Sequence, residues 1–452
     1  MTHHGRLIRV LKRREVLALA FGAMIGWSWV ALAGTWLQSA GSLGAAAAFL
    51  IGGAVIAFIG LTYAELAAAM PVVGGEHAYS LRALGPGPSF VCTWAIIFGY
   101  VSVVAFEVVA LPTVTEYLFP DLKTGFLWTV AGYDVYLSWV LIGVAGSIVM
   151  TGVNVAGIKM AAVVQTAVTL VILLAGVVVV GGALFNGSAA NMQPLEIGGV
   201  KGMLTVLVMV PFLLVGFDVI PQAAEEIDLP FREIGVVLVI SVITAVAWYV
   251  LIVLGVSLSL DRTALDSAGL VTADAGTATW GRPLIGKLVV VSGIAGILTS
   301  WNAFLVGGSR AIYSLAHEGM LPRFLGRLHP RFNTPANAVV LVGVLATLAP
   351  LFGRQTLVWL VDAGGFGIVI AYAMVALSFL VLRRNEPEMP RPYRVRYGWF
   401  VGSTALVLSL GMAVLYLPGS PSALVWPYEW AILLSGAVVG AVLYVWAWAV
   451  RG

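Results

Sequence analysis

Three carboxylic acids stand inside long apolar runs of this chain: Glu107, Asp218 and Asp362. An ionisable group in an apolar interior is costly, so it is kept where it is paired or used. Glu107 lies about 11 residues before its run ends near 118, which at 1.5 Å per residue is roughly 16 Å of helix. That depth suits a carboxylate that meets a cationic amine or carries a proton; a protonated acid hydrogen-bonded among its neighbours fits as well. Asp218 follows Gly216 and precedes Pro221, the order of a helix N-cap with proline in the first turn. Capping and lining a binding site are compatible roles for it. Asp362 is nearer the end of its run and suits a structural role or an outer vestibule. The histidines (His3, His4, His77, His317 and His329) fall in the N-terminal tail or in polar connections. Neither a histidine relay nor a metal site is therefore expected. Cys92 is the one cysteine, so no intramolecular disulfide can form.

Two of the apolar runs carry helix-breaking chemistry. One reads Phe21-Gly22-Ala23-Met24-Ile25-Gly26-Trp27-Ser28-Trp29, the other Pro211-Phe212-Leu213-Leu214-Val215-Gly216-Phe217-Asp218-Val219-Ile220-Pro221. Glycine and proline free backbone groups that must find partners in a cavity or a ligand. Around Ala23, Ile25, Gly26, Trp27 and Ser28 the freed N–H groups could hold an anionic group. Phe212, Val215, Gly216, Phe217 and Asp218 would face them, and Trp301 and Phe304 could complete aromatic walls, which favour a cation. Ordinary packing glycines are the alternative for either run alone.

The elements that position these residues follow from composition. Hydrophobic residues make up 60% and charged residues 10% of 452, and mean hydropathy is +1.00; a soluble domain carries roughly 25% charged residues. About 20 apolar residues cross the membrane as a helix. Twelve such runs are expected, at about 15–40, 43–70, 88–118, 130–150, 155–183, 200–225, 234–258, 283–316, 337–352, 356–382, 398–417 and 427–450. With the N-terminus cytoplasmic, 18 of the 24 basic residues fall inside, from Arg6, Arg9, Lys12, Arg13 and Arg14 through Arg383 and Arg384 to Arg451. Lys123, Lys201, Arg262, Arg282, Lys287 and Arg354 stay outside. This positive-inside bias predicts a multi-pass inner-membrane protein with both termini cytoplasmic. The first run is too long for a cleavable signal. The polar stretches 259–282, 317–336 and 383–397 are too short to hold a core, so residues 1–452 form one transmembrane domain. The interrupted runs are the first and sixth, matching positions if 15–183 and 200–382 are two repeats of opposite orientation, which points to a site between them.

At this point the chain resembles the amino acid–polyamine–organocation permeases. The resemblance rests on Gly22 to Trp29; on Tyr63-Ala64-Glu65-Leu66 with Pro71 to Tyr79; on Gly216-Phe217-Asp218 with Ala224-Glu225-Glu226; and on Ser309 to Tyr313, Glu318 to Pro322 and Thr334-Pro335. Arg391-Pro392-Tyr393 fits too. It implies an all-α, LeuT-like fold: twelve transmembrane helices, a five-plus-five inverted-repeat core and two added helices at 398–450. It also implies alternating access around a midplane site. An acid at Asp218 is found in permeases of cationic amino acids, and in neutral-substrate members as well. Thr299-Ser300, with Gly296 one turn earlier, resembles a sodium-ligating hydroxyl pair, which carbonyls near Gly22 and Met24 would complete. Relatives that fill this site with a lysine place it where this chain has Leu170-Val171-Ile172. The family typically reads Gly-Ser-Gly where this chain has Gly26-Trp27-Ser28, a departure that bears on substrate size.

An enzyme reading finds only Gly281-Arg282-Pro283-Leu284-Ile285-Gly286-Lys287, which has phosphate-loop spacing. Leu288 replaces the required hydroxyl, and no strand precedes it. Nothing resembles a channel filter, and the low charge disfavours nucleic acid. The sequence therefore predicts a secondary active transporter of an amino acid or amine, in the bilayer as a monomer or homodimer. A cationic amino acid or polyamine is favoured; a neutral amino acid permease and a non-transporting sensor are the alternatives. No cofactor is expected beyond a coupling H+ or Na+, the former at Glu107.

Overall fold

The computed structural model describes residues 9–449. Arg6, Arg451, His3 and His4 lie outside the described residues. In chain order the helices begin with α1 (Arg13–Met24), α2 (Ser28–Ala31), α3 (Ala33–Ala69), α4 (Glu76–Leu84), α5 (Pro86–Leu118), α6 (Leu137–Ala156) and α7 (Ile158–Asn186). They continue with α8 (Gly199–Leu207), α9 (Val210–Leu214), α10 (Val219–Gln222), α11 (Phe231–Ser259), α12 (Arg262–Ser267) and α13 (Val271–Trp280). The last are α14 (Pro283–His317), α15 (Ala336–Ala346), α16 (Thr356–Asn385), α17 (Gly398–Leu415) and α18 (Tyr428–Ala449).

Among the described residues 10 stretches are long and apolar enough to cross a membrane, and Ala336–Phe352 is a shorter apolar one. This is a multi-pass helical membrane protein. The expected boundary between the first two runs, near 40–43, falls at Gly41, whose φ of 74° breaks α3 inside its length. Only glycine adopts that backbone without strain.

Two local expectations are corrected, and the longest polar stretch gains structure. The chain is not purely helical: β1 (Phe126–Val130) and β2 (Tyr133–Tyr136) pair antiparallel. Ala131 and Gly132, at φ of 48° and 83°, make the turn, as a two-residue hairpin requires. The run expected to start at 130 therefore becomes helical only at Leu137. The polar stretch 259–282 holds α12 and α13, and Thr272 of α13 donates to the carbonyl of Trp29 at 2.7 Å. Gly281, at the start of the phosphate-loop-like segment, is the left-handed cap between α13 and α14.

One end of the bundle is tied by ion pairs. Buried Arg310 holds Glu226 at 2.9 Å, and Glu65 takes Arg383 at 2.5 Å and Arg391 at 3.0 Å. Arg82 reaches Glu386, and residues 10–11 hydrogen-bond to the Glu226 carbonyl. We call this the basic face.

Candidate functional site

Both interrupted runs are interrupted in the structure, and the interruptions touch. The backbone leaves the helix between Met24 and Ser28, and again between Leu214 and Val219. Gly216 has φ of 136°, and a Cβ there would sit 2.7 Å from the Ala23 Cβ and 2.9 Å from the Met24 nitrogen. Glycine is required by conformation and by room alike.

Glu107 meets this contact from α5 and is 1% exposed. The Trp27 backbone N–H and the Ser300 hydroxyl are its hydrogen-bonding neighbours, while Oε2 is left without a partner. A Cβ at Gly26 would come within 2.6 Å of Glu107 Oε1 and 3.0 Å of Ser300 Oγ, so glycine is what lets the acid reach the broken backbone. The cavity there measures about 10 Å³, room for roughly one water molecule.

Of the expected substrate-site residues, Ala23, Gly26, Ser28, Glu107, Phe212 and Phe304 line this cavity, with Met24 and Ser300 from the expected ion site. Val103, Phe106 and Leu213 line it too; as apolar residues in apolar runs they carry no signal in the sequence. Ile25, Trp27, Val215, Gly216, Phe217, Asp218 and Trp301 are not among its lining residues. Ile25 and Val215 are buried in the packing around the breaks. The Trp27 ring lies on Gly293 of α14, where a Cβ would be 2.0 Å from a ring carbon. The bulk that replaces the family's small residue is thus carried out of the cavity. Trp301 packs toward Gly146 of α6, and Phe217 stacks among Tyr63 at 5.3 Å and Tyr372 at 5.5 Å.

Asp218 occupies the N-cap position of α10 without capping it. Its Oδ1 accepts the Gly216 N–H at 2.7 Å and its Oδ2 the Tyr100 hydroxyl at 2.8 Å. The free donor inside the break is nearer than those of the four-residue helix. Asp362 shares a hydrogen bond with Glu429 of α18.

At the expected ion site several groups are hydrogen-bonded within the protein. The Met24 carbonyl accepts the Tyr249 hydroxyl at 2.8 Å, and Thr299 donates to the Gly296 carbonyl at 3.0 Å. Gly296 packs on the Gly26 carbonyl. Gln165 of α7 fills the space beside Gly22: its Nε2 donates to the carbonyls of Ala18 and Thr299, both at 3.3 Å, and its Oε1 accepts from Asn302 at 3.2 Å. The residue of this helix that faces the site is therefore Gln165, not Leu170-Val171-Ile172; Leu170 and Val171 are exposed on the outside of the bundle. Leu170 and Val171 follow Gln165 by five and six positions, which at 3.6 residues per turn carries them to the other side of α7.

A bundle of membrane-crossing helices, two of them broken around a buried acid, belongs to a membrane transporter and not to an enzyme. The sequence profile of the amino acid permease family matches residues 11–442, and the chain belongs to that family. It is 24% identical to the methylthioribose transporter of Bacillus subtilis, over 97% of this chain and 93% of that protein. It is 25% identical to the branched-chain amino acid permease of the same organism, over 86% and 84%. It is 26% identical to the lysine-specific permease of Escherichia coli, over 84% and 79%.

Proposed function

We propose that this protein is a secondary active transporter that moves an amino acid or a related amine across the cytoplasmic membrane by alternating access. The observation that carries the proposal is Glu107, buried without a counter-charge where the two helix breaks meet. An acid so placed favours a cationic amino acid or an amine over a neutral substrate. Relatives named for lysine, branched-chain amino acids and methylthioribose are compatible with a site whose frame is shared and whose lining sets specificity. Counting α1, α2 and α3 as far as the Gly41 break as one crossing, the rest of α3 as the second and 336–352 as another gives twelve spans. That count supports the inverted-repeat core with two added helices, and the 18-to-6 distribution of basic residues supports cytoplasmic termini. The neutral amide of Gln165 among the Ala18 and Thr299 carbonyls supports a carrier without sodium at Thr299 and Ser300.

The test is a thermal-shift screen of purified protein against amino acids and the amines made from them by decarboxylation. A ligand at 100 times its dissociation constant stabilises by about 2.7 kcal/mol. Stabilisation by lysine or arginine, or by cadaverine or agmatine, supports the reading. A response confined to neutral amino acids refutes the preference for a cation.

A further inference from the structure

A second pair of buried acids lies between the cavity and the basic face. Gln222 of α10 donates through Nε2 to Oε2 of Glu76, and Gln222 stands one helical turn from Asp218, on the same side of the chain. Glu76 and Asp218 are each 0% exposed. The Tyr63 hydroxyl lies beside the Glu76 carboxyl, Oε1 of Glu76 has no partner in ordinary hydrogen-bond geometry, and the hydroxyls of Tyr79 and Tyr372 have none. So many orphaned buried polar atoms in one place mark a site whose ligand is small or mobile.

Among the described residues the surroundings supply no positive charge. The ionisable groups that feel the pair are Tyr63, Tyr79, Tyr100, Tyr372 and Cys92. His77, next in sequence, accepts or donates a hydrogen bond with the Ser89 hydroxyl at 2.9 Å. Burial pushes it down to about 4, so it is neutral at pH 7. The buried arginines of the basic face are committed to other acids, Arg310 to Glu226 and Arg383 with Arg391 to Glu65. Two neighbouring carboxylates in an uncompensated interior cannot both ionise. Nor do the rings leave room for an organic cation: Tyr63 packs edge-on to Tyr79, Phe217 and Tyr372 with centroids 6.5, 5.3 and 5.7 Å away.

We propose that Glu76 and Asp218 together bind one proton, exchanged with the basic face, and that this proton is coupled to transport. The inference rests on the transporter reading above. Glu76 is the holder: its Oε1 is held by no donor in ordinary hydrogen-bond geometry, whereas both oxygens of Asp218 accept one, an arrangement that favours the ionised form. Burial and the nearby Asp218 also raise the affinity of Glu76 for a proton. A cleft of about 690 Å³ opens on the basic face and is lined by His77, Glu225 and Tyr313 among others, which brings solvent to the residue beside Glu76. The step makes and breaks only an O–H bond, between a carboxyl oxygen and water of the cleft. Coupling follows from Asp218: it holds the Gly216 N–H, and Gly216 packs against Ala23 and Met24, which line the cavity. Moving the proton therefore changes the charge held against the packing behind two cavity-lining residues.

Two measurements test this with the full chain. Infrared difference spectra of the purified protein, wild type minus Glu76→Gln, are expected to show the carbonyl stretch of a protonated carboxylic acid near neutral pH. Its absence from the difference overturns the assignment of the proton to Glu76. In proteoliposomes, an inward proton gradient is expected to accelerate wild-type uptake of radiolabelled lysine about tenfold over counterflow, and Glu76→Gln to bring that ratio to about one. An equal ratio in both proteins refutes coupling at this pair, and a wild-type ratio of one refutes it even if the variant does not fold. Absence of lysine, arginine and cadaverine counterflow altogether would instead refute the transport reading, while the infrared result still decides the proton.

Discussion

Replacing Glu107 by glutamine tests the site most directly, because it removes a charge and keeps the shape. An ammonium held 4 Å from the carboxylate at an effective dielectric of 20 is worth about 4 kcal/mol. That corresponds to about a thousandfold in dissociation constant. The amide oxygen of glutamine can still accept the Trp27 N–H, and Glu107 has no basic partner to strand, so folding should change by no more than ~1 kcal/mol. The assay is titration calorimetry of wild type and Glu107→Gln with lysine and cadaverine, beside a melting curve of each. The expected outcome is micromolar or weaker binding falling below detection, with the melting temperature nearly constant. Binding within threefold of wild type by a folded variant would refute the role of Glu107 as the ammonium partner.

Other expectations come from the packing. Arg310→Met leaves Glu226 charged and unpaired at 2% exposure, which should cost about 3–5 kcal/mol; Arg310→Met with Glu226→Leu should recover most of it in thermal melts. Gly293→Ala drives a methyl into the Trp27 ring and should destabilise by about 1–3 kcal/mol; Trp27→Ala in the same chain should relieve it. Gln165→Ala strands the Asn302 amide, a loss of about 1–3 kcal/mol, and wild-type stability should be equal in sodium and potassium chloride. His77 is pushed by burial from 6.5 to about 4, so the unfolded chain binds the extra proton between those values. Stability should therefore fall as pH drops from 6.5 toward 4, by up to about 3 kcal/mol. His77→Asn should flatten that part of the curve.

Much of the architecture is legible in the chain. Apolar runs of spanning length, arginines gathered in alternate connections and glycines at the two breaks are local signals with direct physical causes. They indicate the membrane class, most span boundaries and the two places where a helix is interrupted. Glu107 declares itself because an acid in an apolar run has few reasons to be there. What the runs do not determine is which way a side chain points once helices cross. Trp27 looks like an obstruction in sequence and is lodged on Gly293, two hundred and sixty-odd residues away. Asp218 looks like a cap and instead joins Tyr100 and the neighbourhood of Glu76. Gln165 is an unremarked amide until α1, α7 and α14 come together around it. Periodicity and hydropathy are properties of one helix and survive in the sequence. A partner contributed by another helix is a property of packing, and only the tertiary structure supplies it.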